Sequence, residues 1–143
     1  MKIKTKFRVL KKIYHISDIQ IRNLKRHTEY ERVFENLYKF LRKDNEGNSM
    51  VYIGGDIAHS KTDMSPELVD QLSRLFKNLA DICPTLIIAG NHDCNLNNRS
   101  RMDCLTPIVN NLNHPDLHYL KDTGVYYLGG VGFSVLDCWD DPE

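Results

Sequence analysis

The chain has 143 residues, enough for one ordinary domain with a real core, and its 41% hydrophobic and 27% charged residues are normal for a soluble globular protein. Formal net charge is zero, but residues 1–27 hold nine Lys/Arg against a single acid, Asp18, and the end carries Asp137, Asp140, Asp141 and Glu143. No apolar run approaches a membrane span, the basic N-terminus lacks the apolar stretch of a signal peptide, and Cys83, Cys94, Cys104 and Cys138 form no C-x-x-C pair, so an intracellular, reduced protein with no membrane partner is expected.

Residues 12–17 read as a buried strand. A helix is predicted over 29–42, with Thr28 and Glu31 as a capping box and Val33, Phe34, Leu37, Tyr38 and Leu41 at helical spacing. After a polar loop, Met50–Ile53 forms a second short strand that ends at Gly54-Gly55-Asp56. Ser65 and Pro66 open a second helix, in which Leu68, Val69, Leu72, Leu75, Phe76, Leu79 and Ile82 recur every three or four residues, and Pro84 closes it. Residues 85–89 form a third strand, followed by Gly90-Asn91-His92-Asp93. A third helix is expected over roughly 103–112, starting near Asp103, and short strands at 117–120, 125–128 and 131–136, the last two joined through Gly129-Gly130.

This order predicts an α/β fold with a parallel β-α-β-α-β core, its strands covered on both faces because they are apolar and do not alternate. In such a sheet all carboxyl ends point one way, and ligands bind there. The first end supplies Asp18 and Gln20, which in an extended segment aim their oxygens into one space. The second supplies Asp56, and the third Asn91, His92 and Asp93. Converging carboxylates repel one another unless a cation intervenes, and oxygen donors with imidazole suit manganese, magnesium, iron or zinc. Asp56, on the middle segment, is placed to bridge two ions, with Asp18 and Gln20 on one side and Asn91 on the other. Two ions about 3.5–4 Å apart are the usual clamp for phosphate-ester hydrolysis. His92 then stands near the leaving oxygen as proton donor or imidazolium.

Asp18-x-Gln20, Gly54-Gly55-Asp56 and Gly90-Asn91-His92-Asp93 together resemble the calcineurin-like metallophosphoesterases. Within them, His15-Ile16-Ser17-Asp18 and Gly55-Asp56-Ile57-Ala58-His59 are most similar to the SbcD-type DNA-repair nucleases. The resemblance covers about residues 12–112 and is looser beyond. It implies the N-terminal half of an αββα sandwich and metal-dependent phosphodiester hydrolysis. Asp18 would bind one metal, Asp56 both and Asn91 the other, with His92 assisting catalysis. It further implies two divalent ions, DNA as substrate, an SMC-like ATPase partner and a homodimer.

Two departures stand out. That branch carries histidine where this chain has Gln20, and a neutral amide oxygen there favours Mn2+ or Mg2+ over zinc. The family's later Gly-His-x-His motif is absent: His114 reads as a loop residue and His118 as the start of a strand. Residues 1–143 are therefore expected to be one metallophosphoesterase domain, incomplete at its C-terminus, with a sheet face and an edge uncovered and weak metal binding and hydrolysis on their own. Asp93 is read as orienting its loop, His59 and Arg22 as substrate or outer contacts with plain loop roles as the alternative, and Lys25, Arg26, Arg99 and Arg101 as phosphate-binding or merely solvated. Rival functions are a protein or small-molecule phosphoesterase on the same fold and a non-catalytic binding module with an incomplete site.

Overall fold

The computed structural model describes residues 1–140; Asp141 and Glu143 of the acidic end lie outside the described residues. Strands β1 (Lys12–Ile16), β2 (Ser49–Gly54), β3 (Thr85–Ile88) and β4 (Leu117–Tyr119) form a parallel sheet in that order, linked by helices α1 (His27–Asp44), α2 (Pro66–Ile82) and α3 (Thr106–Leu112). Register places Ile16 beside Ile53 and Gly54 beside Ile88, so the polar segments after the first three strands emerge along one edge. A separate antiparallel pair, β5 (Gly124–Leu128) and β6 (Val131–Val135), follows. The fold is thus mixed α/β, as expected of the N-terminal half of a metallophosphoesterase, with β4 as an additional parallel strand delivered by α3.

Two cores hold the layers. Alternate residues of the sheet (Tyr14, Ile16, Val51, Ile53, Ile87, Leu117) meet all three helices in the larger one. The opposite residues Met50 and Leu86 pack with Ile3, Leu120, Tyr126 and Leu128 in the smaller, under the hairpin. α2 is the main wall: Leu68, Leu72, Phe76 and Leu79 are fully buried, and each such side chain contributes about 2–3 kcal/mol of transfer free energy. Ser65 caps it, its hydroxyl oxygen accepting from the Leu68 N–H at 3.2 Å. The basic N-terminal segment runs along β5, where the Ile3 N–H donates to the Tyr127 carbonyl.

Several expectations are corrected. α1 begins at His27 after a left-handed Arg26, and no side chain caps it; the Thr28–Glu31 box does not form because both residues already lie inside the helix. Val33 and Val69 fit the helical spacing but face solvent, while Gln71 is buried, its Nε2 donating to the His27 carbonyl. β1 is an edge strand of alternating burial with Ile13 46% exposed, and even its helix-facing side, Tyr14 and Ile16, is only partly covered. α3 starts at Thr106, three residues late, because Asp103 folds a tight turn ahead of it, accepting from the N–H groups of Leu105 and Thr106. His118 sits in the middle of β4 rather than at its start.

Candidate active site

The segments after β1 and β2 continue side by side past the sheet. The Asp18 N–H donates to the Gly55 carbonyl at 3.1 Å, Gln20 to Asp56 at 3.0 Å and Ile21 to Ile57 at 2.9 Å, and the His59 N–H returns to the Ile21 carbonyl at 3.0 Å. Ile21, Ile57 and Ala58 are wholly buried beneath this ladder and anchor it to the main core. The backbone is not extended at the polar positions. Asp18, Gln20 and Asp56 are all left-handed, with φ of 56°, 48° and 51°, and they are three of the six non-glycine residues in that conformation among those described. Each costs on the order of 1 kcal/mol or more, and such residues concentrate where function needs them. Asp18 and Gln20 therefore meet through turns, not through strand alternation.

Their contact has a polarity the sequence does not reveal. The Gln20 amide nitrogen donates to Asp18 Oδ1 at 2.6 Å, and its oxygen accepts from His59 Nδ1 at 3.1 Å. A carboxylate draws the donor end of an amide, so the Gln20 oxygen turns from Asp18 to the imidazole. The His59 ring stacks on His92, centroids 5.8 Å apart. His92 Nδ1 lies 2.8 Å from the His59 carbonyl oxygen. A carbonyl only accepts, so Nδ1 carries the proton and Nε2 is left for an incoming group. The His92 backbone N–H donates to Asp56 Oδ1 at 3.0 Å, which ties the third segment to the second.

Asp93 lies underneath, fully buried, accepting from the backbone N–H groups of Ile57, Ala58 and Gly90 at 3.0, 3.0 and 2.9 Å. Burial pushes its carboxyl above the usual range, against the pull of these donors. Its geometry is that of a clasp between the second and third segments. Asn91 is exposed on the turn above it, and its carbonyl accepts from Lys61 Nζ at 3.1 Å.

Asp18, Gln20, Asp56, His59 and His92 are thus joined by direct contacts, and Asn91 shares the turn of His92 alone. Arg22, Lys25 and Arg26 are exposed in the loop before α1, Arg26 being engaged with Glu29. Arg99 turns to Asp137 and Asp140. His114 bonds Asp81 in the last turn of α2 rather than any residue of the cluster. Two contributors went unrecognised: Lys61, an ordinary loop lysine in sequence, and Ile21, whose only signal is one apolar residue in a polar loop. The 760 Å³ groove between Lys2–Arg8 and Tyr127–Gly130 includes none of the cluster, which is an open shelf along the sheet edge.

The donor chemistry fits a hard divalent cation: two carboxylates, Asp18 and Asp56, with the amide oxygens of Gln20 and Asn91 nearby in the chain. The donor number is small. No group of three or more His, Cys, Asp or Glu side chains able to hold a metal occurs among the described residues. None of the described helices is long and apolar enough to cross a membrane.

Comparison with known proteins fits this layout. The chain is similar to an uncharacterised protein, R555, of Acanthamoeba polyphaga mimivirus, with 48% identity over 134 residues that cover 92% of this chain and 10% of the relative. The chain thus spans about a tenth of the length of the curated relative it matches. A family model described as calcineurin-like phosphoesterase matches residues 11–141, a span that takes in all three polar strand ends, and the chain belongs to that family.

Proposed function

We propose that the chain is the N-terminal part of the catalytic domain of a metal-dependent phosphodiesterase acting on DNA, akin to the SbcD-type nucleases. The observation that carries this reading is the single network running from Asp18 through Gln20 and His59 to His92, with Asp56 bonded to the same histidine's backbone. Asp18, Asp56, Gln20 and Asn91 would hold two divalent ions, Mn2+ or else Mg2+, with further ligands from outside residues 1–140, Gln20 doing so only once its amide oxygen turns from His59 to the side of Asp18. The ions supply Lewis-acid polarisation of the phosphate and a means of ionising the attacking water at neutral pH. His92, with Nδ1 pinned to the His59 carbonyl, would present Nε2 to the leaving oxygen and, as imidazolium, give it a proton. The His59 ring keeps the His92 ring from turning.

A polyanionic substrate is supported by the exposed bases beside the shelf, Arg22 and Lys25, and by Lys61 against Asn91. An SMC-like ATPase and a second copy of the chain are the partners proposed with this substrate. The test is Mn2+-dependent cleavage by the full-length protein, comparing single- and double-stranded DNA with nucleotides and phosphoproteins. DNA cleavage lost in Asp56→Ala and in His92→Ala supports the reading. Turnover confined to nucleotides or phosphoproteins moves the protein to another phosphoesterase class, and binding without turnover makes it a binding module.

A further inference from the structure

Outside the phosphoesterase network, two cysteines from distant parts of the chain meet. Cys94 Sγ and Cys138 Sγ are 2.7 Å apart, from positions 44 apart in the sequence. Both are thiols. A disulfide bond is about 2.05 Å long, so nothing separates the two sulfurs and a small movement joins them. Their approach is held by neighbours that do not involve sulfur. The Trp139 indole N–H donates to the Asn95 carbonyl at 2.9 Å, and Arg99 pairs with Asp140 at 3.2 Å and lies 3.6 Å from Asp137. The Asp137 N–H donates to Thr123 Oγ1 at 2.8 Å. The segment after β6 is thereby docked on the loop that follows the Asn91-His92 turn.

We propose that Cys94 and Cys138 are a dithiol modification site, oxidised by a low-molecular-weight disulfide to a cross-link that fastens residues 137–140 to the Gly90–Asn95 turn. Cys138 is partly exposed and Cys94 is fully buried, which sets the order of events. The Cys138 thiolate attacks the small disulfide, forming a mixed disulfide and releasing one small thiolate. Cys94, as thiolate, then attacks the Cys138 sulfur, and the second small thiol leaves. Two protein thiols lose two protons and two electrons, and one small disulfide becomes two thiols. Burial, with the adjoining thiol and Asp137, pushes the Cys138 thiol up, and burial raises Cys94 too, so the exchange favours mildly alkaline pH. The reduced Cys94 thiol donates to the Gly90 carbonyl at 3.2 Å. Oxidation exchanges that bond for a covalent tie two residues from His92.

The experiment treats the full chain with oxidised glutathione at mildly alkaline pH, then removes the reagent. The expected result is a mass loss of two hydrogens, a Cys94–Cys138 linked peptide in a non-reducing digest, and a Tm higher by about 5 °C or more that dithiothreitol reverses. In Cys94→Ser the product should instead be a stable glutathione adduct at Cys138. Glutathione adducts without a cross-link in the unsubstituted chain, a link through Cys83 or Cys104, or no reaction by a native chain whose urea-unfolded form reacts, would each overturn the assignment. None of these readouts depends on phosphodiester hydrolysis.

Discussion

Gly55 and Gly90 pass each other so closely that neither has room for a methyl group. A Cβ on Gly55 would stand 2.6 Å from the Gly90 nitrogen, and one on Gly90 would stand 2.1 Å from Asp56 Oδ1. Gly55 also sits at φ +86°, where an L side chain is strained. Because the obstacles are backbone and a bonded carboxylate, the strand ends themselves must part to admit a methyl. Gly90→Ala is expected to lower unfolding free energy by about 3 kcal/mol, and Gly55→Ala by about 1 kcal/mol more through its dihedral. Urea denaturation followed by circular dichroism measures both. A loss under half a kilocalorie in either would show that the segments slide apart freely.

What was legible beforehand follows the range of the forces involved. The first three strands and α2 announce themselves through apolar runs, Ser65-Pro66 and the Leu68–Leu72–Phe76–Leu79 spacing, all local. That Asp18, Asp56 and Asn91-His92 follow successive parallel strands comes from the same local order. Which way Gln20 points does not, because it is decided by Asp18 and His59 together, 39 residues apart in the case of Gln20 and His59. Val33 and Val69 mislead for the same reason: helical spacing says which residues share a stripe, while the neighbouring layer decides how wide that stripe is. The capping box failed because Arg26 enters the helix from a left-handed turn, a conformation with no signature in a long basic side chain.

The turn before α3 carries a pH dependence. Asp103 is 2% exposed, and its carboxylate accepts from Leu105 N–H, Thr106 N–H and Thr106 Oγ1, with Lys121 Nζ at 2.9 Å. Burial alone would raise this carboxyl; the bonds from Lys121 and Thr106 outweigh it and hold it below the ordinary range. A depressed acid stabilises the fold above the unfolded pKa of about 3.9 and ceases to do so as pH falls through the lower folded value. Asp103→Asn is therefore expected to cost about 1–2 kcal/mol at pH 7. The gap between the two urea midpoints should close as pH drops below about 4. A gap that stays constant to pH 2.5 would remove Asp103 from the ionised groups that stabilise the chain.

Gln20 separates metal affinity from stability. With two carboxylates in the cluster and no group of three or more His, Cys, Asp or Glu able to hold a metal among the described residues, the 143-residue chain should bind Mn2+ with a Kd weaker than about 0.1 mM. Gln20→Glu replaces the donor that faces Asp18 Oδ1 at 2.6 Å by a like charge. Without metal it should lower stability by about 1 kcal/mol; with Mn2+ it should tighten binding about tenfold through the added charge. Isothermal titration and thermal melts with and without the ion read both signs. Micromolar binding of two ions by the unsubstituted chain would show that the described residues already form a full site.

Ile21 links the core to the shelf. It is wholly buried, its N–H bonds the Ile57 carbonyl, and its own carbonyl accepts from His59. Ile21→Ala removes packing directly beneath the ladder that carries Asp18, Gln20 and His59, and is expected to cost about 3 kcal/mol. Such a cavity at a loop is relieved by loosening the loop first, since local opening draws on the least stable contacts. Hydrogen exchange at the Ile21 and His59 amides should accelerate well before that of β2 and β3. Uniform acceleration across the sheet would mean instead that the ladder and the sheet open as one unit, and that the site is as rigid as the core it stands on.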